Sequence, residues 1–143
     1  MNVCFTSEKN GLKNTVLGRV KGYSEIFSPP PKQIDLLVIN GGDVSEYRDR
    51  NIDACIFDTK YSSMVLELKN VNSAISCGMQ GLDSVTFSSI SEDSALVCIR
   101  RSIIFGNNVI DPCEFKTDFD SQVGIFHNLV TSMIGFLTEL KGE

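Results

Sequence analysis

The chain has 143 residues, 42% of them apolar and 22% charged, and it carries a net charge of −5. That length makes a single domain, residues 1–143, able to bury roughly 68% of the surface its unfolded form exposes, so a core needs neither disulfide nor metal. The acidic balance argues against nucleic acid as a partner, because phosphate binding wants a basic face and only Arg100 and Arg101 stand together among the basic residues.

Residues 2–6 form a short apolar run that reads as a first strand. A polar loop, residues 7–11, leads to a helix over residues 12–22, where Leu12, Val16, Leu17 and Val20 fall on one face, with Gly18 weakening it and Gly22 near its end. Ser28-Pro29-Pro30-Pro31-Lys32 is a stiff extended connector, since three prolines remove three donors and disfavour helix before them. Residues 34–43 then carry an unbroken apolar run with a Gly41-Gly42-Asp43 exit, the pattern of a strand buried on both faces. One or two helical turns are expected over 44–51, a second buried strand over 52–59, a helix over 61–68 and a short strand over 73–77. Alternation of strand and helix with such short connections is the grammar of a parallel sheet.

The pattern changes after Gly78. Residues 84–90 alternate, with Val85 and Phe87 opposite Thr86 and Ser88; residues 94–105 read as one long strand, Asn107-Asn108 as a hairpin turn, and 109–115 as the returning strand. Arg100 and Arg101 then fall mid-strand with side chains on opposite faces, making this extension a candidate edge for self-association. A last helix, capped by Asp118 or Asp120, runs to about Lys141 with Val123, Phe126, Val130, Met133, Ile134, Leu137 and Leu140 as its apolar stripe. The fold class is α/β: a small parallel sheet with helices on its faces, an antiparallel hairpin extension and a C-terminal helix.

Five cysteines, Cys4, Cys55, Cys77, Cys98 and Cys113, are odd in number and form no CxxC pair. They read as small buried hydrophobes in a reducing compartment, and the single His127 has no clustered partners for zinc. Residues 1–20 show no signal-peptide pattern and no run approaches a membrane span, so the expected setting is the cytoplasm, with no membrane partner.

The segment Gly124-Ile125-Phe126-His127-Asn128-Leu129 resembles the Gly-x-His-Asn helix of the Mur ligase family, bacterial ATP-dependent amino-acid ligases. Ala74-Ile75-Ser76-Cys77-Gly78 resembles the strand that ends in Phe-Gly in that family's central domain, and residues 84–90 its antiparallel extension; order and spacing agree from about Asn72 onward. The resemblance implies a Rossmann-like or P-loop-like three-layer arrangement, ATP and Mg²⁺ as cofactors, and a phosphate loop after the first strand. In that loop Asn10-Gly11 is retained, but Leu12 stands where the family has its lysine, and Lys13 is displaced by one residue, a rotation of ~100° at a helix start. Glu8 adds a negative charge, Asn40 stands where the family has a magnesium-binding Glu, and the chain is shorter than a family central domain between Thr59 and Asn72.

On that resemblance Asn10, Gly11, Lys13, Thr15, His127 and Asn128 are candidates for nucleotide binding, and Asp43 for metal. The bland reading of each competes: a surface loop opening a helix, caps and turns at Asp43 and Asp58, and a His127–Asn128 pair that fastens the last helix. The expectation is a non-catalytic protein acting by partner-protein or nucleotide binding. The alternatives are an ATP-dependent ligase or ATPase using Lys13, Thr15 and Asp43 in altered geometry, and a structural homodimer.

Overall fold

A computed structural model describes residues 1–9, 11–25 and 29–142. The strands are β1 (Asn2–Phe5), β2 (Ser24–Glu25), β3 (Gln33–Ile39), β4 (Asn51–Phe57), β5 (Asn70–Ser76), β6 (Val85–Ile90), β7 (Ser94–Ile99), β8 (Ile103–Phe105), β9 (Asn108–Ile110) and β10 (Cys113–Asp118). The helices are α1 (Leu12–Arg19), α2 (Ser62–Val65) and α3 (Ile125–Gly142), with 3-10 turns at Ser45–Tyr47 and Thr59–Tyr61.

The apolar runs become a parallel sheet of order β2-β1-β3-β4-β5, with Leu37 of β3 opposite Cys4 on one side and Cys55 on the other. β3 sits at its centre, which is why its run from Leu36 to Ile39 is fully buried. A three-stranded antiparallel sheet, β10-β7-β6, joins the parallel one through a single bridge between Cys77 and Val85. β2 and β10 are thus the terminal strands of the two bridged sheets, and β8 and β9 pair apart from them.

The two faces of the parallel sheet are covered unequally. On one, Val3, Leu36, Val38 and Ile56 pack with Leu12 and Val16 of α1 and with Leu129, Val130, Met133, Ile134 and Leu137 of α3. Burying those five α3 side chains is worth about 10 kcal/mol in gross transfer terms, enough to hold the helix down whatever its own propensity. On the other face Cys4, Leu37, Ile39 and Cys55 lie under Val44, Tyr47, Tyr61, Met64, Val65 and Leu68, which come from 3-10 turns, the one-turn α2 and their flanking residues. Helices of ordinary length cover one face alone.

Several expectations are corrected. Residues 94–105 are not one strand: the ladder breaks at Arg100, and β8 pairs with β9 as a separate hairpin. The cause lies in the loop at 80–82. Arg100 donates through Nη1 to the Gln80 and Gly81 carbonyls at 3.0 and 2.8 Å, and Arg101 through Nη2 to the Leu82 carbonyl at 2.8 Å. The two arginines clamp a loop and do not stand on opposite faces of a strand. The returning segment is likewise divided, at 111–112, into β9 and β10, and Pro112 lies in that break. α1 ends at Arg19, short of Gly22, with the Val20 N–H bonded to the Val16 carbonyl at 2.9 Å. The 61–68 helix shrinks to a 3-10 turn and α2. Asp120 makes a turn on the Gln122 N–H at 2.9 Å, and α3 begins later, at Ile125. Of the proline connector, Ser28 lies outside the described residues, as does Asn10 of the loop after β1.

Candidate functional site

The carboxyl ends of β1, β3 and β4 meet beside the start of α3, the edge where open α/β sheets hold their ligands. Asn40, just past β3 and 2% exposed, dominates the first part of this edge. Its Oδ1 accepts from the Ser7 N–H at 2.9 Å and its Nδ2 donates to the Ser7 carbonyl at 2.8 Å. The Thr6 hydroxyl accepts from the Asn40 N–H at 3.1 Å and donates toward Asn40 Oδ1 and the Gly41 carbonyl. Gly42 makes this crossing possible: at φ +71° a Cβ there would lie 2.5 Å from the Thr6 carbonyl oxygen. The loop after β1 is thus sewn to the end of β3 by a carboxamide.

Of the candidate phosphate residues, Gly11, Lys13 and Thr15 are described. Gly11 precedes α1 at φ 78° without a side-chain cap. Lys13 ion-pairs with Glu8 at 3.0 Å and keeps only 15% of its side chain exposed. The Thr15 hydroxyl bonds back to the Gly11 carbonyl at 3.2 Å, a local helix contact. Asp43 makes a local turn just ahead of the 3-10 turn over Ser45–Tyr47: its Oδ1 accepts from the Ser45 N–H at 2.7 Å, and that bond holds its carboxyl below the ordinary value. Among the described residues no three His, Cys, Asp or Glu side chains cluster as metal ligands.

Asn128 is fully buried and satisfied. Its Oδ1 accepts from Arg19 Nη1 at 3.1 Å and the Asp120 N–H at 2.9 Å, and its Nδ2 donates to the Asp120 and Gly124 carbonyls at 2.9 and 3.0 Å. It ties α3 to the segment before it and, through Arg19, to α1. His127, next to it in sequence, points elsewhere, into a cleft of about 470 Å³ lined by Asn40, Asp58, Lys60, Tyr61, Gly124, Ile125, Phe126 and His127. Burial pushes the imidazole below its usual value, so it is neutral at pH 7 and can either donate or accept.

The cleft therefore adds Lys60 and Tyr61 to residues that the sequence motifs already single out, Asn40, Asp58 and the Gly124–His127 segment. Asp58 accepts from the Lys60 N–H at 3.1 Å and starts the turn over Thr59–Tyr61. That turn sets Lys60 Nζ 5.2 Å from the centroid of the Tyr61 ring and brings the Tyr61 hydroxyl within 3.5 Å of where a Gly41 Cβ would stand. The only signal in the sequence was position: Lys60 and Tyr61 follow a buried strand and an Asp cap. The result is two aromatic rings and an imidazole beside one carboxylate and one ammonium, at a volume ordinary for a small-ligand site. Compared with known proteins, the chain matches no family model, and no curated protein is significantly similar to it.

Proposed function

We propose that this chain is a non-catalytic cytoplasmic binding domain, a degenerate relative of the Mur ligase central domain that has kept a strand-end cleft and lost the phosphate loop. The cleft takes a flat, ring-bearing ligand of nucleoside size, or the side chain of a partner protein that presents one. One observation carries this reading: Tyr61, Phe126 and His127 line an open cleft with Asp58 and Lys60, while Lys13 is held by Glu8 outside it. Aromatic faces bind a base by stacking, and a carboxylate beside an ammonium can pair with its polar edge. A Rossmann-like layering suits the parallel order of β2-β1-β3-β4-β5 with α1 and α3 on one face. The buried thiols Cys4, Cys55 and Cys77 suit a reducing compartment, and among the described residues no helix is long and apolar enough to cross a membrane.

The test is a calorimetric titration with ATP, ADP and adenosine, with and without Mg²⁺, on the wild-type chain and on Tyr61→Ala and Lys13→Ala. At a ligand concentration of ~100 times Kd the native state should gain about 2.7 kcal/mol, visible as a raised melting temperature. The reading expects magnesium-independent binding of adenosine that Tyr61→Ala abolishes and Lys13→Ala leaves intact. Magnesium-dependent binding lost in Lys13→Ala, with phosphate released, would instead establish the ATP-dependent ligase or ATPase reading. Indifference to every nucleotide at millimolar concentration would leave the partner protein as the occupant.

A further inference from the structure

β10 is the terminal strand of the antiparallel sheet, and its free edge can be read residue by residue. The Phe119 N–H donates to the Asp93 carbonyl at 3.0 Å, continuing the register in which Asp118 lies opposite Ser94. Main-chain groups alternate sides along a strand, so Thr117, Phe115 and Cys113 turn theirs toward β7, while Glu114, Lys116 and Asp118 turn theirs outward. Of these, the Asp118 carbonyl is covered by Arg19 Nη2 at 2.7 Å. The open edge is thus the Glu114–Lys116 stretch, and among the described residues no other strand pairs with it.

We propose that a second copy of this chain pairs there, β10 against β10 in antiparallel order about a twofold axis passing beside Phe115. In this register Glu114 lies directly opposite Lys116 of the other copy, and Lys116 opposite its Glu114. Both pairs exchange main-chain hydrogen bonds and set opposite charges side by side on the outer face of the sheet. Moving the axis to Lys116 would oppose Lys116 to itself and Glu114 to Asp118. Moving it to Thr117 would require the Asp118 carbonyl that Arg19 already occupies. Of these three registers, charge and hydrogen bonding favour the first.

The inner face agrees with it. Phe115 stacks on Phe136 at 4.8 Å, and next to them a groove of about 210 Å³ opens between β10 and α3, with Arg19, Val20, Gly135 and Glu139 also on its walls. The second copy's Phe115 arrives directly opposite Phe115 on this inner face, at the mouth of that groove. Gly135 leaves the floor free, since even a Cβ there would have nothing nearer than Val20 at 3.9 Å. Lone charges on an edge strand usually serve to repel other strands. Here they alternate in sign, which makes the edge complementary to itself.

The experiment is sedimentation equilibrium of the full chain from ~1 µM to ~1 mM, a range that captures weak and tight dimers alike. Wild type should reach twice the chain mass. Lys116→Glu, which sets two glutamates opposite each other, should lower association at least tenfold, and the exchange Glu114→Lys with Lys116→Glu should restore it. Circular dichroism and melting temperature confirm that each variant is folded; both positions are exposed. A wild-type monomer throughout the range, a dimer indifferent to Lys116→Glu, or no rescue by the exchange would each overturn the proposal. None of these outcomes depends on whether the cleft binds a ligand.

Discussion

Asn40→Asp is the sharpest perturbation of the strand-end clamp, because it changes one NH₂ to an oxygen with almost no change of shape. In the native chain Nδ2 donates to the Ser7 carbonyl at 2.8 Å in a site only 2% exposed. In the variant a carboxylate oxygen faces that carbonyl. Losing the hydrogen bond costs about 1 kcal/mol, and leaving two acceptors face to face without water adds about 2 kcal/mol. The other oxygen gains about 1 kcal/mol, since the Ser7 N–H and Thr6 hydroxyl donate more strongly to a charged acceptor. The net loss is about 2 kcal/mol at pH 7, or a melting point lower by roughly 4–8 °C in a domain of this size. A protonated Asp can donate to Ser7 again, so the deficit should shrink as the pH falls toward 4.5. Urea unfolding at the two pH values, with m unchanged, measures it. A variant within about 0.5 kcal/mol of wild type at pH 7, or a deficit that grows at low pH, would refute the clamp.

Gly42→Ala and Gly11→Ala both force an L side chain into positive φ, but only the first also meets backbone, at 2.5 Å from the Thr6 oxygen. Chemical unfolding should show about 1 kcal/mol lost at Gly11 and about 3 kcal/mol or more at Gly42. Burial pushes the Cys55 thiol up to about 12 and the Cys77 thiol higher still, and Tyr47 is pushed up to about 12. The fold keeps protons that the unfolded chain gives up, so stability should fall as pH rises past about 9, by about 3 kcal/mol at pH 10 from the two thiols. A flat stability profile from pH 8 to 10 would contradict their burial. For His127 the sign is reversed. The unfolded chain takes the proton first, so stability should decline as pH drops below about 6.5, and His127→Gln should remove that component in a titration of melting temperature.

β1, β3 and β4 were legible because an apolar run buried on both faces has few alternatives, and α3 because its stripe repeats at helical spacing. Leu129 was missed from that stripe, although it is fully buried. The break at Arg100 was invisible for a physical reason: the residues around it favour strand, and the carbonyls that draw the arginines away belong to a loop some twenty residues earlier. In sequence Asn128 suits either a nucleotide contact or a fastener, and its hydrogen bonds of 2.9–3.1 Å engage it within the fold. The cleft was least legible, since Lys60, Tyr61 and Phe126 are ordinary residues until the parallel order of β3 and β4 carries Asp58 and α3 to the same edge. Asn40 illustrates the same limit. It reads as a missing carboxylate in one dimension and is a clamp in three.

Recognition at the cleft rather than at the loop after β1, as proposed above, can be tested on the chain directly. The most direct measurement is amide chemical-shift mapping by nuclear magnetic resonance during titration with adenosine and then with ATP and Mg²⁺. Saturable shifts are expected at Asp58, Lys60, Tyr61 and residues 124–127, with Gly11, Lys13 and Thr15 unmoved and no change on adding Mg²⁺. Shifts centred on Gly11, Lys13 and Thr15 that appear only with ATP and Mg²⁺ would contradict it.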